Sequence, residues 1–95
     1  EGVAVLPWMV CGTDEIGRAT AEKLKTTRLC VWTTHGIYGT GRTMDEAFGL
    51  IETVEKAAIL YMQTAAFPRV NEITDEQLKA LAKEFKLDYR KDYLD

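Results

Sequence analysis

The residue with the clearest chemical potential is His35, the chain's only histidine, which follows a short apolar run at residues 29–32. A neutral imidazole serves as a metal ligand or as a general base. The end of a buried strand is a rigid place from which to aim such a side chain. Three glycines follow it and allow close backbone approach to whatever the imidazole holds: Gly36, Gly39 and Gly41. By itself this pattern is weak, because a single histidine at a strand end is more often structural than a ligand.

The two cysteines are the other soft donor groups of the chain, and their positions differ. Cys30 lies inside the apolar run and is predicted to be a small buried hydrophobe. Cys11 precedes Gly12 at a predicted turn. With one histidine and no Cys-x-x-Cys pair, the chain does not carry a self-contained zinc site. Nothing in the spacing indicates a secreted disulfide scaffold, so we interpret both cysteines as reduced thiols of a cytoplasmic protein.

Two further features could carry chemistry: a glycine-rich stretch and a group of charged residues on the predicted long helix. A glycine-rich stretch before a helix that begins near Thr43 can cradle a phosphate, but the Walker pattern is absent, which disfavours nucleotide binding. Glu52, Glu55 and Lys56 fall on the polar face of the predicted long helix. They could serve an active site, although a solvated helix face is the commoner role for such a group.

Length and composition limit the protein class. The chain has 95 residues, of which 46% are hydrophobic and 28% charged, with a net charge of -3. These values predict one small domain of ordinary globular composition. The mild negative charge argues against nucleic-acid and membrane-surface binding, and no apolar run reaches the roughly 20 residues of a membrane helix. The first residue is Glu1 and no signal peptide is visible, so we expect a piece of a longer protein.

The first half of the chain predicts a strand–helix–strand unit. Residues 3–6 form an apolar run that ends at Pro7, and residues 8–10 could continue it past a bulge. Thr13 is a predicted N-cap for a helix that runs to about residue 26. A second strand covers about residues 29–33, and the short crossover predicts that the two strands are parallel.

The next part predicts a long helix that follows the glycines. Residues 36–41 are either a tight loop or a third strand. Thr43 and Glu46 form a predicted capping box for a helix that ends near residue 66, since Pro68 disfavours helix before it. Its broad apolar stripe predicts burial against both the sheet and a neighbouring helix or subunit. The stripe consists of Ala47, Ile51, Val54, Ala58, Tyr61 and Ala65, widened by Phe48, Ile59 and Met62.

The last third predicts a linker, a terminal helix and a tail. Residues 69–73 are a connector, and Thr74 with Gln77 forms a second capping box. Leu78, Leu81, Ala82 and Phe85 give the following helix a narrow apolar stripe. Residues 88–95 are charged with scattered aromatic side chains, which is typical of a docking or mobile tail. The expected organisation is therefore one fragment, with residues 1–66 as strand, helix, two strands and long helix, and residues 67–95 as the remainder.

Three stretches resemble the class II aldolase/adducin family. They are residues 35–52 (HGIYGTGRTMDEAFGLIE), residues 6–17 (LPWMVCGTDEIG) and residues 52–58 (ETVEKAA). The likeness extends from about residue 2 to residue 58 and is looser from residue 61 onward. One departure is Cys11, which stands where the family's aldolases tend to carry proline; we interpret it as a tolerated turn change.

The resemblance implies a fold and a chemistry that go beyond the pattern of residues. It implies the C-terminal part of an α/β/α sandwich, with two or three strands and three helices. Family members bind zinc through three histidines, the third in a His-Gly pair like His35-Gly36. In such an aldolase the zinc ion stabilises the enediolate that carbon–carbon cleavage leaves, while a glutamate shuttles the proton. The motif carries only His35 over as a metal ligand; it carries over no catalytic and no other cofactor-binding residue.

The resemblance also leaves alternatives open. The parent protein is expected to be a cytoplasmic, zinc-dependent sugar-phosphate aldolase that assembles as a homo-oligomer, a tetramer in the family. Because the glutamate and the other two histidines would precede Glu1, the zinc site here would be incomplete and this chain inactive alone. The alternatives are an aldolase or 4-epimerase of another sugar phosphate, or a non-catalytic, adducin-like interaction module.

Overall fold

The first part of the chain forms a strand, a helix, two consecutive strands and a long helix. The computed structural model describes residues 2–69 and 71–88. The elements within them are β1 Val3–Leu6, α1 Asp14–Lys23, β2 Leu29–Trp32, β3 Gly36–Gly39, α2 Met44–Thr64 and α3 Asp75–Glu84. The mixed α/β class with three strands and three helices is thus confirmed.

The sheet has β2 at its centre. β1 pairs with β2 in parallel, with Leu6 opposite Trp32, and β3 pairs with β2 antiparallel, with Leu29 opposite Gly39. The parallel crossover is therefore confirmed. The strand interpretation of the glycine-rich stretch is also confirmed for Gly36–Gly39, whereas the tight-loop alternative is wrong there.

A small core lies between the sheet and α1. Leu6, Ile16, Cys30 and Trp32 form its buried cluster. The indole Nε1 of Trp32 donates a hydrogen bond of 2.8 Å to Oγ1 of Thr20, which in turn donates 2.7 Å to the carbonyl of Ile16. A buried polar pair satisfied in this way fixes the side chains that form it. The carboxyl end of β2 is therefore anchored to α1.

Helix α1 begins where the sequence predicts and ends earlier. Thr13 is the N-cap, and its side chain accepts from the backbone N–H of Ile16. The helix ends at Lys23 instead of residue 26. The backbone N–H groups and the hydroxyls of both Thr26 and Thr27 turn back to the Lys23 carbonyl, because threonine side chains compete for helix carbonyls at such ends.

The predicted continuation of β1 through residues 8–10 is wrong. Residues 7–10 have no strand structure, and the side chain of Trp8 is 67% exposed. Pro7 has no N–H to donate to a ladder. The carbonyl of Leu6 accepts instead from the backbone N–H and the hydroxyl of Thr33. The chain therefore leaves the sheet directly after β1.

Two of the glycines serve the packing of α2 on β3. A Cβ atom at Gly39 would lie 2.7 Å from the Cγ1 of Ile51, and one at Gly41 would lie 2.7 Å from the backbone nitrogen of Ala47. Strand residues alternate between faces, so Gly39 and its partner Leu29 face α2 while the core cluster faces α1. The helices thus cover opposite faces of the sheet, as in an α/β/α sandwich.

The close approach at Gly41 gives a testable stability effect. We expect Gly41→Ala to lower the free energy of unfolding by about 1–3 kcal/mol, because the new methyl group meets backbone that cannot rotate away. Gly36→Ala is the matched control, since a Cβ there meets nothing within 4 Å. Urea unfolding followed by circular dichroism compares the two variants. Equal midpoints would show that the α2–β3 approach tolerates a side chain at Gly41.

The broad apolar stripe of α2 is only partly covered, which corrects the predicted burial on two sides. Ala47, Ile51 and Val54 are half-buried, but no residue of α2 is fully buried, and residues 57–64 are all exposed. The reason is length: 21 helical residues span about 31 Å, whereas a strand of four residues spans about 13 Å. The sheet can therefore cover only the first part of the helix.

The start of α2 is fixed by a charged cluster of Arg28, Arg42 and Glu46. The Thr43 side chain accepts from the backbone N–H of Glu46 at 3.1 Å, so half of the predicted capping box is present. The Glu46 carboxylate reaches the backbone N–H of Arg42 at 2.8 Å instead of that of Thr43. It also pairs with the guanidinium groups of Arg28 at 2.9 Å and Arg42 at 3.3 Å. The hydrogen bonds from Arg42, with a smaller contribution from Arg28, lower the pKa of Glu46.

A lowered pKa in the folded state predicts a pH-dependent contribution of Glu46 to stability. The contribution is complete above the ordinary pKa of glutamate, about 4.3, and is lost as the pH falls through the lowered pKa of the folded state. We expect Glu46→Gln to lower the melting temperature by a few degrees at neutral pH, with a difference that shrinks in acid. Melting curves of both proteins at a series of pH values test this. A difference that stays constant into acid would show that the carboxylate charge is not responsible.

The chain divides into two compact units, Glu1–Thr64 and Ala65–Asp95. In the second unit, α3 begins with the predicted capping box. The Thr74 side chain accepts from the Gln77 N–H at 3.3 Å, and the Gln77 side chain accepts from the Thr74 N–H at 2.9 Å. Ala82 is the buried residue of this helix. The tail predicted for residues 88–95 lies outside the described residues except for Asp88.

Candidate functional site

His35 lies in the tight turn that joins β2 to β3. Its backbone N–H donates 3.0 Å to the carbonyl of Trp32, which closes the turn. Thr34 takes a left-handed conformation with φ 60°, which is uncommon for a residue other than glycine. The imidazole is exposed, and its ring centroid lies 5.6 Å from that of Trp32. The turn therefore presents His35 to solvent from the anchored end of the central strand.

The thiol of Cys11 reaches the same place from the turn after β1. Its Sγ atom lies 3.3 Å from the Nδ1 atom of His35, and both side chains are exposed. Parallel neighbours bring their carboxyl ends to one edge of a sheet, so the segments that follow β1 and β2 meet there. No hydrogen bond within the described residues reaches the Nε2 atom of His35. Nδ1 is thus engaged, whereas Nε2 has no hydrogen-bond partner among the described residues.

An open groove of about 450 Å³ runs between the His35 turn and α2. Its walls are mostly apolar and include Ile51 and Val54, with Thr34, His35 and Glu55 as polar members. Of the other predicted polar residues on α2, Glu52 and Lys56 are exposed and line a separate surface depression together with Glu55. The structure therefore brings Glu55, but not Glu52 or Lys56, to the same groove as the histidine.

The residues at this site suit one ligand of a metal ion and no more. Zinc sites take neutral imidazole nitrogens, and catalytic ones use three protein ligands. The Nε2 atom of His35, which makes no hydrogen bond within the described residues, fits one such ligand. Across residues 2–69 and 71–88, no group of three histidine, cysteine, aspartate or glutamate side chains comes together in a way that could hold a metal ion. A complete zinc site would thus need two further ligands.

The two cysteines differ as predicted in burial, and both are free thiols. Cys30 is fully buried in β2, and this burial raises the pKa of its thiol, with a smaller opposing effect from Lys23. A buried thiol with a raised pKa is a poor nucleophile and metal ligand. Cys30 therefore belongs to the core, whereas Cys11 is the accessible thiol.

The contact of Cys11 with His35 is the part of the site that the sequence interpretation missed. The sequence marks Cys11 only as a turn residue and does not connect it to the histidine. The signal for the contact lay in the predicted topology. If the strands ending at residues 6 and 33 are parallel neighbours, the turns that follow them must share an edge of the sheet. What could not be read from the sequence is the direction of each side chain within those turns.

Within the described part of the chain, no helix combines the length and the apolar character that crossing a membrane requires. The longest helix, α2, has 21 residues and carries charges along one face.

Comparison with known proteins gives a consistent set of relatives. The family described as "Class II Aldolase and Adducin N-terminal domain" matches residues 1–62. A rhamnulose-1-phosphate aldolase of Listeria welshimeri is 58% identical over 89 residues, 92% of this chain and 32% of that protein. The Enterococcus faecalis enzyme of the same name is 53% identical over an alignment of 96 positions, which covers 100% of this chain and 34% of that protein. An Enterobacter enzyme, again of that name, is 49% identical over 86 residues, 90% of this chain and 31% of that protein.

The extent of these matches bounds what they establish. The chain spans about a third of the length of the curated relatives it matches. The family match covers well over half of the chain, and it includes β1, β2, β3 and the His35 turn. Several relatives exceed 50% identity across nearly the whole chain. The resemblance in the sequence motifs is thereby confirmed, and the chain belongs to the class II aldolase and adducin family.

Proposed function

We propose that this chain is part of a zinc-dependent aldolase that cleaves rhamnulose 1-phosphate to dihydroxyacetone phosphate and lactaldehyde. The observation that carries the proposal is identity of 49–58% over most of the chain with proteins named rhamnulose-1-phosphate aldolase. The sequence motifs at residues 6–17 and 35–52 point to the same enzyme within the family. The chain supplies only part of such an enzyme, since it corresponds to about a third of the length of those relatives.

In this proposal His35 is one of three histidines that hold the metal ion. Its support is geometric: the imidazole is exposed at the end of the central strand, and Nε2 is directed away from the contact with Cys11. When bound, zinc supplies a Lewis acid that polarises the oxygens of the ketose and stabilises negative charge that develops during cleavage. The turn from Trp32 to His35 fixes the position of the imidazole relative to the sheet. Positioning of this kind makes a ligand effective.

No other residue of the chain is assigned a catalytic role. Cleavage requires a carboxylate that moves a proton, and we place that glutamate and the other two ligands outside these 95 residues. Glu55 lines the groove beside His35, but it lies on the polar face of α2, and a solvated role remains our interpretation for it. The proposed site is completed by the rest of the protein.

The proposal also covers the cellular compartment and the oligomeric state of the enzyme. We place it in the cytoplasm, as expected for an enzyme with free thiols that acts on a phosphorylated sugar. We also propose that it assembles as a homo-oligomer, a tetramer in the complete protein. The exposed apolar residues in the second half of α2 support this, because they offer a surface that a partner can cover.

The deciding experiment compares substrates on the complete protein. Expressed from the whole gene, it should cleave rhamnulose 1-phosphate faster than fuculose 1-phosphate, lose activity with a chelator and regain it with zinc. The 95-residue chain alone should show no cleavage above a control without protein, and only weak zinc binding. Cleavage of fuculose 1-phosphate in preference, or epimerisation of ribulose 5-phosphate, would identify a sister enzyme. A complete protein with neither activity would support an adducin-like interaction module.

A further inference from the structure

The Cys11–His35 contact is not used by the proposed function and has a specific chemical meaning. The two side chains come from the turns that follow the parallel strands β1 and β2, and Sγ lies 3.3 Å from Nδ1. Both groups can donate or accept a hydrogen bond. The direction of this bond decides which nitrogen of the imidazole carries the proton, and so which nitrogen has a free lone pair.

The surroundings of Cys11 favour one direction. A thiol carries a single hydrogen, and the Met9 carbonyl lies 4.0 Å from Sγ in the position of an acceptor for it. When the thiol donates to Met9, the sulfur lone pairs face Nδ1. The bond from His35 must then be Nδ1–H to sulfur. This leaves Nε2 unprotonated, with its lone pair directed away from the turn.

We propose that Cys11 is a positioning residue that accepts a hydrogen bond from Nδ1–H of His35 and holds the imidazole in the tautomer whose Nε2 can bind a metal ion. Metal-binding histidines commonly donate their other ring N–H to a neighbouring acceptor, which fixes ring and tautomer. Here a thiol fills the role usually taken by a carboxylate or a carbonyl. The ring contact with Trp32 limits rotation of the imidazole from a second side. The metal-binding part rests on the proposed function, whereas the hydrogen bond does not.

The tautomer can be measured directly because the chain has one histidine. Ring-15N-labelled protein gives a single imidazole, and long-range proton–nitrogen spectra distinguish Nδ1–H from Nε2–H. The measurement uses metal-free protein at a mildly alkaline pH, where an ordinary imidazole is uncharged. We expect Nδ1–H to dominate in the unaltered chain. Cys11→Ala should return the ring to the Nε2–H form that a free histidine side chain prefers.

Val10→Ala is the matched control, since it alters an exposed side chain in the same turn and should leave the tautomer unchanged. An unaltered chain that is already Nε2–H would overturn the proposal, because the thiol would then be the donor. So would a Cys11→Ala variant that keeps the Nδ1–H form, or a Val10→Ala variant that loses it.

A second readout uses metal binding by the complete protein. Cys11→Ala should weaken zinc binding about tenfold, at the lower end of the effect of such partners, with the melting temperature of the metal-free protein unchanged. Unchanged zinc affinity in the variant would overturn the role in metal binding. Failure of the proposed function would look different: His35→Ala would keep its zinc, while the tautomer experiment would still report the hydrogen bond.

Discussion

Replacing His35 by alanine in the complete protein is expected to remove most of the bound zinc and to lower kcat/KM for rhamnulose 1-phosphate at least about a hundredfold. A metal Lewis acid contributes several kcal/mol to a transition state, and each 1.4 kcal/mol, roughly, changes a rate tenfold. The fold should persist, because the imidazole is exposed and the turn is closed by backbone atoms. Metal analysis of the purified variant, steady-state kinetics and thermal unfolding measure the three effects.

Arg18→Ala is a suitable control for this experiment. Arg18 is exposed on α1, where it pairs only weakly with Asp14 at 3.6 Å, and exposed pairs of this kind contribute little. This variant should keep both zinc and turnover. If His35→Ala also kept its zinc and turnover, His35 would be a structural histidine, and its assignment as a ligand from the His-Gly motif would be wrong.

The elements that the sequence predicted well are those with local chemical signals. Thr13 and Thr74 cap their helices through side-chain hydrogen bonds, and acidic residues in the first turn mark both positions in the sequence. The strand at Leu29–Trp32 is marked by its apolar run, and its parallel pairing with β1 follows from the intervening helix. Each of these depends on residues close in sequence, which is the distance over which pattern reasoning is informative.

The features that could not be predicted depend on distances between elements. The glycines after His35 were expected to bring the backbone close to a ligand. Gly39 and Gly41 instead allow α2 to pack close to the backbone that follows His35. Which element packs against a glycine depends on the tertiary fold, so the sequence does not show it. The Glu46 carboxylate similarly binds Arg42 and Arg28 instead of completing the capping box. Arg28 precedes β2 by one residue, so its approach to α2 is a consequence of the assembled sheet.

The exposed second half of α2 leads to the other large expected effect, which is self-association of the 95-residue chain. The side chains of Leu60, Tyr61 and Met62 are 53%, 62% and 78% exposed. Strand β1 forms an edge of the sheet, and its residue Val5 is also exposed. Small chains leave much of their apolar surface uncovered. A second copy of the chain can cover such a surface. If the α2 helices of two copies pack against each other, the result is a symmetric dimer in which both apolar surfaces are covered.

The test is sedimentation equilibrium at micromolar concentrations, read beside thermal unfolding by circular dichroism. The unaltered chain should form dimers or larger assemblies, and Ile59→Glu with Met62→Glu should give a monomer, because burying two carboxylates in a helix interface is costly. Thr53→Glu with Thr64→Glu makes the same change in net charge at exposed positions of α2 that lie at least about 120° around the helix from Ile59 and Met62, and should still associate. If the first variant associates as strongly as the unaltered chain, the copies pair through the β1 edge instead of α2. A sharply melting monomer at every concentration would show that the exposed apolar residues of α2 need no partner.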